Sequence, residues 1–196
     1  MKIIKNDGTV SAVTRFYHVP KAAGTSITRG LNRSGIDVGK QRHYSTQDTP
    51  IDDSYFNITN CRNPFDRLVS AYYFIASGGC CRIDRRISRS IKVDTFGSFV
   101  LGFPEWENRG FTHFRPMSEW TGTDLSVFDH VIRFESLQVD WQSLSEKLGR
   151  PLIKLPHRRP GSHPEASELY TSAMRKVVVD YYATDFQLFG YDPGTV

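Results

Sequence analysis

Cysteine is scarce in this 196-residue sequence: there are three, in none of the spacings that build a zinc site or a disulfide framework. Cys80 and Cys81 are adjacent and Cys61 closes an apolar run, so free thiols in a reducing compartment are expected. No stretch approaches the roughly 18 apolar residues of a membrane span. The opening MKIIKNDGTVSAV holds two lysines but no apolar core of signal-peptide length. A cytoplasmic protein with no membrane span is the expectation. Internal repeats, low-complexity tracts and Pro/Ser-rich linkers are also missing, which predicts one domain over residues 1–196 with a real hydrophobic core.

What is present is ordinary in bulk and pointed in detail. Hydrophobic residues make up 39% and charged residues 23%, as in a soluble globular protein. The net charge of +4 calls for an anionic partner. The arginines fall in scattered groups: Arg62 and Arg67, Arg82 to Arg89, Arg109 and Arg115, Arg133, then Arg158 and Arg159. That scatter suits a pocket for a small polyanion better than a nucleic-acid stripe, so nucleic acid is not an expected partner. The Arg82 to Arg89 group reads as a solvated face.

Apolar patterning predicts strands at 14–19, 55–61, 128–134 and 151–155. Helices are predicted from Ser26 towards Ser34, over 64–76, 94–102 and 136–149, and as one final helix over 166–183, with an irregular loop at 105–125. Asn63-Pro64 followed by Asp66 is a helix-start signature, and Gly78-Gly79 a stop. Strands alternating with helices imply an α/β fold of three layers, P-loop-like, with a mainly parallel central sheet flanked by helices.

Residues 16–27, FYHVPKAAGTSI, mark the seam between the first strand and its helix. Such a seam leaves backbone N–H groups unpaired, and with the helix dipole they form an anion site. Gly24 would admit the ligand to the backbone, Thr25 and Ser26 add hydroxyls, and Lys21 adds a full charge. The order differs from GxxxxGK[ST], where lysine follows the last glycine, and no Asp closes a strand to complete a magnesium site. No metal is expected. A second seam, CRNPFDRLVSAYYF at 61–74, carries Arg62, Arg67 and Ser70, with Arg62 at the C-terminal strand edge where ligands bind such sheets. Phe65, Tyr72, Tyr73 and Phe74 have the spacing of core residues.

Together, PKAAGTS and CRNPFDRLVSAYY resemble the 5′-phosphosulfate and 3′-phosphate loops of sulfotransferases that use 3′-phosphoadenosine 5′-phosphosulfate (PAPS). The closest likeness is to the Golgi-type carbohydrate enzymes of the chondroitin 4-O and heparan sulfate groups. HFRPMSEW (113–120), FDHVIRFESL (128–137) and YYATDFQLFGYD (181–192) extend it over nearly the whole chain. The resemblance implies that Lys21, Ala22, Ala23, Gly24, Thr25 and Ser26 hold the 5′ end of PAPS, with Lys21 stabilising the departing 3′,5′-ADP. It implies that Arg62 and Ser70 hold the 3′-phosphate. Golgi members sit behind a membrane anchor, often with disulfides. This shorter chain departs from that pattern, which suggests a bacterial or viral relative, or a soluble enzyme with an unusual acceptor.

In-line sulfuryl transfer, like phosphoryl transfer, moves charge onto the leaving oxygen, and a hydroxyl nucleophile needs a base. His43 is the expected base, because related enzymes carry a catalytic histidine in the corresponding segment; His113 is the rival. His18 and His130 fall on strands and read as structural. His113, Arg115 and Glu135 are the candidate substrate residues, with Glu135 equally able to pair with an arginine. The acceptor implied is a hydroxylated molecule, most simply a carbohydrate. A P-loop kinase or hydrolase, and a non-enzymatic polyanion-binding domain, are the competing readings.

Overall fold

The computed structural model describes residues 3–4, 10–11, 13–38, 45–91, 95–155 and 164–196. In chain order the elements are β1 (Ile3–Ile4), β2 (Val10–Ser11), β3 (Val13–Tyr17), α1 (Gly24–Arg33), β4 (Tyr55–Cys61), α2 (Pro64–Ala76), α3 (Arg82–Ser88) and α4 (Phe96–Gly102). There follow α5 (Ser118–Thr121), β5 (His130–Arg133), α6 (Leu137–Lys147), α7 (Ala166–Leu169), α8 (Ser172–Tyr181) and α9 (Ala183–Phe189). The protein is α/β, with a parallel sheet in the order β3-β4-β5 flanked by helices, as expected. β1 and β2 pair antiparallel as a separate ribbon. Among the described residues no helix is long and apolar enough to cross a membrane.

The chain groups into two compact units, residues 1–62 with 117–158 and residues 63–116 with 159–196. In the first, strand register decides which side chains share a face. Phe16 lies beside Ile58, Thr14 beside Phe56, and Asn60 beside Ile132. Phe16, Phe56, Ile58 and Ile132 therefore line one face, and they pack with Ile27 and Leu31 of α1 and Trp141 and Leu144 of α6. β4 is buried along nearly its whole length, which explains its run of bulky and β-branched residues.

The predicted fourth strand at 151–155 does not form. Its backbone is claimed by side chains instead: the Leu152 N–H donates to Ser145 Oγ, the Ile153 N–H to Ser34 Oγ, and the Ile153 carbonyl accepts from Trp141 Nε1 at 3.0 Å. A short apolar run thus packs as an extended tether, with Leu155 in the core.

The second unit is helical around an aromatic core. Phe65, Tyr72, Phe96, Phe99, Phe103, Phe114, Tyr170, Tyr182 and Phe186 are all buried in it. Two of its phenols are hydrogen-bonded: Tyr170 donates to the Phe65 carbonyl at 3.0 Å and Tyr182 to the Phe114 carbonyl at 2.6 Å. α2 spans the predicted residues, with Pro64 in its first turn and Asn63 Oδ1 accepting from the Phe65 N–H at 2.9 Å. The predicted helix over 166–183 is instead α7, α8 and α9. Tyr170 is extended, and Thr171 starts α8 by accepting from the Met174 N–H. α3, in the arginine group, was not predicted; Asp84 is buried and Ile87 packs on the core, while Arg82, Arg85, Arg86 and Arg89 are all exposed, the solvated face expected of them.

At Gly30, inside α1, a Cβ would lie 2.6 Å from Leu155 and 2.7 Å from Trp141. Alanine is ordinarily the better helix former by about 1 kcal/mol. Here Gly30→Ala is expected to destabilise by about 1–3 kcal/mol through overpacking. A urea midpoint equal to or above that of the parent would show that α1 can shift away from Trp141.

Candidate functional site

β3 stops pairing with β4 at Tyr17, opposite Thr59. Beyond that point a single side chain continues the ladder. Asn60, fully buried on β4, accepts from the Val19 N–H at 2.8 Å and donates to the Val19 carbonyl at 3.1 Å. The same amide donates to the Ala22 carbonyl at 2.5 Å. It behaves as an extra peptide rung that reaches past the end of the strand into the turn.

That turn is strained. Lys21 has φ 68° and Ala23 φ 63°, the only non-glycine residues at positive φ among those described. Left-handed backbone costs an L-residue roughly 1–2 kcal/mol, and such strain gathers where chains grip ligands. Ala23 is the N-cap of α1 and offers no side-chain cap. The Ser26 and Ile27 N–H groups turn back to the Ala23 carbonyl, and no side chain caps the helix ahead of them. Thr25 is exposed, and Lys21 and Ser26 are half-buried. An uncapped helix start beside a lysine is a place where an anion cradle can form. The α2 start differs: its first turn is closed by the Asn63 side chain.

Gly24 has a packing reason for being glycine, besides the close ligand approach expected of it. A Cβ there would land on the His18 ring, which is buried and stacks on Phe16 with centroids 5.5 Å apart. His18 fills the space beneath the turn, so the glycine serves packing under the cradle.

Arg62 directly follows β4 and is 9% exposed. Its guanidinium lies 3.9 Å from the Phe134 ring centroid, and Nη1 donates to the Lys21 carbonyl at 3.3 Å. Arg62 and the Lys21 turn are therefore brought together by direct contact. Glu135 follows Phe134 and is exposed.

The remaining predicted residues are placed as follows. Ser70 is half-buried on α2, in the second unit. Arg67 is 1% exposed and donates to the Arg115 carbonyl at 2.8 Å, which ties both into the fabric of that unit. His113 sits 3.5 Å from Asp84, with its ring against Phe74 and Phe111. Burial alone would raise the Asp84 carboxyl, but hydrogen bonds from Cys80 and Cys81 and the nearby His113 hold it below its usual range. His130 is buried against α6, with Nε2 2.9 Å from the Asp140 carbonyl, and burial lowers its pKa. His43 lies outside the described residues, as do Arg158 and Arg159.

Sequence reasoning missed Asn60 and Phe134. The signal for Asn60 was there: a polar side chain inside an otherwise buried strand must find partners. Nothing in the sequence tells which partners.

In this α/β fold β3 runs through a lysine-bearing turn into α1, the kind of seam at which such folds can hold phosphate-like anions. The chain belongs to the sulfotransferase family, whose model matches residues 13–192. It is thus a transferase of sulfuryl groups, with a nucleotide sulfate donor and an acceptor implied by that family. Among curated proteins none matches it significantly.

The packing of His18 under Gly24 is open to a double-mutant test. Gly24→Ala is expected to cost about 1–3 kcal/mol of stability by overpacking. His18→Ala in the same chain should recover a large part of that loss, because contacting residues are non-additive. Strictly additive losses would show that the ring is not the obstacle.

Proposed function

We propose that this protein transfers the sulfuryl group from PAPS to a hydroxyl group of a carbohydrate acceptor. The observation that carries the reading is the open turn itself. The backbone from Ala22 to Thr25 leads, beside Lys21, into a helix with no side-chain cap, in a chain matched to the sulfotransferases over nearly its whole length. The donor set is all positive or N–H, as a phosphate or sulfate oxygen requires. Among the described residues no group of three His, Cys, Asp or Glu side chains is placed to hold a metal.

In this reading the backbone from Ala22 to Thr25, with the Thr25 and Ser26 hydroxyls, holds the 5′-phosphate. Lys21 meets the negative charge that builds on the bridging oxygen as the sulfur–oxygen bond to 3′,5′-ADP breaks. The new sulfur–oxygen bond forms to the acceptor hydroxyl, whose proton passes to a base; the resemblance assigns that role to His43. Arg62 binds the 3′-phosphate, the group that separates PAPS from ATP, and the motif alone adds Ser70 to that task. Desolvated and braced by Phe134, the Arg62 guanidinium suits a fixed bidentate contact. The carbohydrate acceptor rests on the likeness of the motifs to carbohydrate enzymes.

Calorimetric titration tests the donor. 3′,5′-ADP is expected to bind without metal and more tightly than ATP with Mg²⁺; the reverse order would return the kinase reading. Arg62→Ala should weaken 3′,5′-ADP binding by about 1.5–3 kcal/mol, the range for a hydrogen bond to a charged group.

Lys21→Ala should keep the fold and 3′,5′-ADP binding within a few-fold, yet lose about 100-fold or more in kcat, as when one donor to a developing oxyanion is removed. Turnover unchanged in that variant would remove Lys21 from catalysis.

A further inference from the structure

We infer that Asn60 is a positioning residue for the donor's 5′-phosphate: its side-chain amide sets which way the peptide planes of the Lys21 turn face. The inference rests on the reading of this turn as the 5′-phosphate site.

Every described peptide bond is trans, so the carbonyl and N–H of one peptide unit point in opposite directions. Two successive carbonyls of the turn are held from the β4 side. The Lys21 carbonyl accepts from Arg62 Nη1 at 3.3 Å, and the Ala22 carbonyl accepts from Asn60 Nδ2 at 2.5 Å. The N–H groups of those same peptide units belong to Ala22 and Ala23, so both are turned away from β4. There they join the Gly24 and Thr25 N–H groups at the start of α1, which no side chain caps. The conformation this requires, Lys21 and Ala23 left-handed with no positive φ at Ala22 between them, is one that neither residue type favours alone. Asn60 is suited to impose it. Both its amide hydrogens and its oxygen are engaged on Val19 and Ala22, and it is fully buried. With Ala22 released, the 22–23 peptide is free to flip, replacing an N–H donor at the cradle by a carbonyl oxygen.

The test separates orientation from mere stability by truncating the ligand. Asn60→Ala and Asn60→Ser are titrated with 3′,5′-ADP and with adenosine 3′-phosphate, which lacks the 5′ group, folding being checked by circular dichroism. The expected result is a loss of about tenfold or more in 3′,5′-ADP affinity, the worth of one hydrogen bond to a charged oxygen. Adenosine 3′-phosphate affinity should change by less than about twofold. Equal losses for both ligands, or no loss for either, would overturn the inference. Failure of the parent protein to bind 3′,5′-ADP at all would instead strike the donor assignment. Should the variants not fold, amide hydrogen exchange on the parent decides: 3′,5′-ADP must slow exchange at Ala22 and Ala23, and unchanged exchange there refutes the orientation.

Discussion

The buried amide of Asn60 is the constraint from which the site follows. A parallel strand that ends must hand its backbone over to something, and a buried N–H or carbonyl left alone costs about 1–3 kcal/mol. At the end of β3 the handover is made to one side chain, which serves both polar groups of Val19 and then reaches Ala22. The strand is thereby extended by one rung that has no backbone of its own. Because that rung stops short of α1, the chain turns into the helix with the Lys21 and Ala22 carbonyls held from the β4 side.

The two helix starts show how much a single side chain decides. α2 follows β4 with Asn63 as its cap, and the Phe65 N–H is consumed by the Asn63 side chain. α1 follows β3 with Ala23 as its cap, and an alanine has nothing with which to close the first turn. The anion site proposed at α1 needs that difference, since no side chain there caps the helix start. Arg62 belongs to both stories. It leaves β4 one residue before the cap, stacks on Phe134, and props the Lys21 carbonyl, so a residue expected only to touch ligand also supports the turn.

Much of this was legible in the sequence. β4 and α2 form over the predicted residues because their signals are local: an apolar β-branched run, then Asn-Pro as cap and first turn. The Lys21 to Ser26 seam was also readable, since strand, proline, glycine and hydroxyls follow one another in order. What escaped depended on tertiary partners. Residues 151–155 carry a strand's composition, but Trp141, Ser145 and Ser34 reach their backbone groups, so no fourth strand joins the sheet. The single helix expected over 166–183 is interrupted where Tyr170 extends to place its hydroxyl on the Phe65 carbonyl. Gly24 was assigned to the ligand on its type alone, and only the position of His18 shows that a ring lies where the Cβ would be.

The energetics of the turn are close to balanced, which makes Lys21 and Ala23 tolerable at left-handed positions where glycine is the usual choice. Two left-handed L-residues cost roughly 2–4 kcal/mol together. The three Asn60 bonds return about 0.5–1.5 kcal/mol each, a sum of the same size. Glycine would remove the strain, but it would also let the turn populate many other shapes and add the entropy of fixing it. With alanine the turn has few alternatives once Asn60 has chosen one. Under the proposed function, an anion arriving at the turn meets donors already aimed, so its binding energy is not consumed in ordering them.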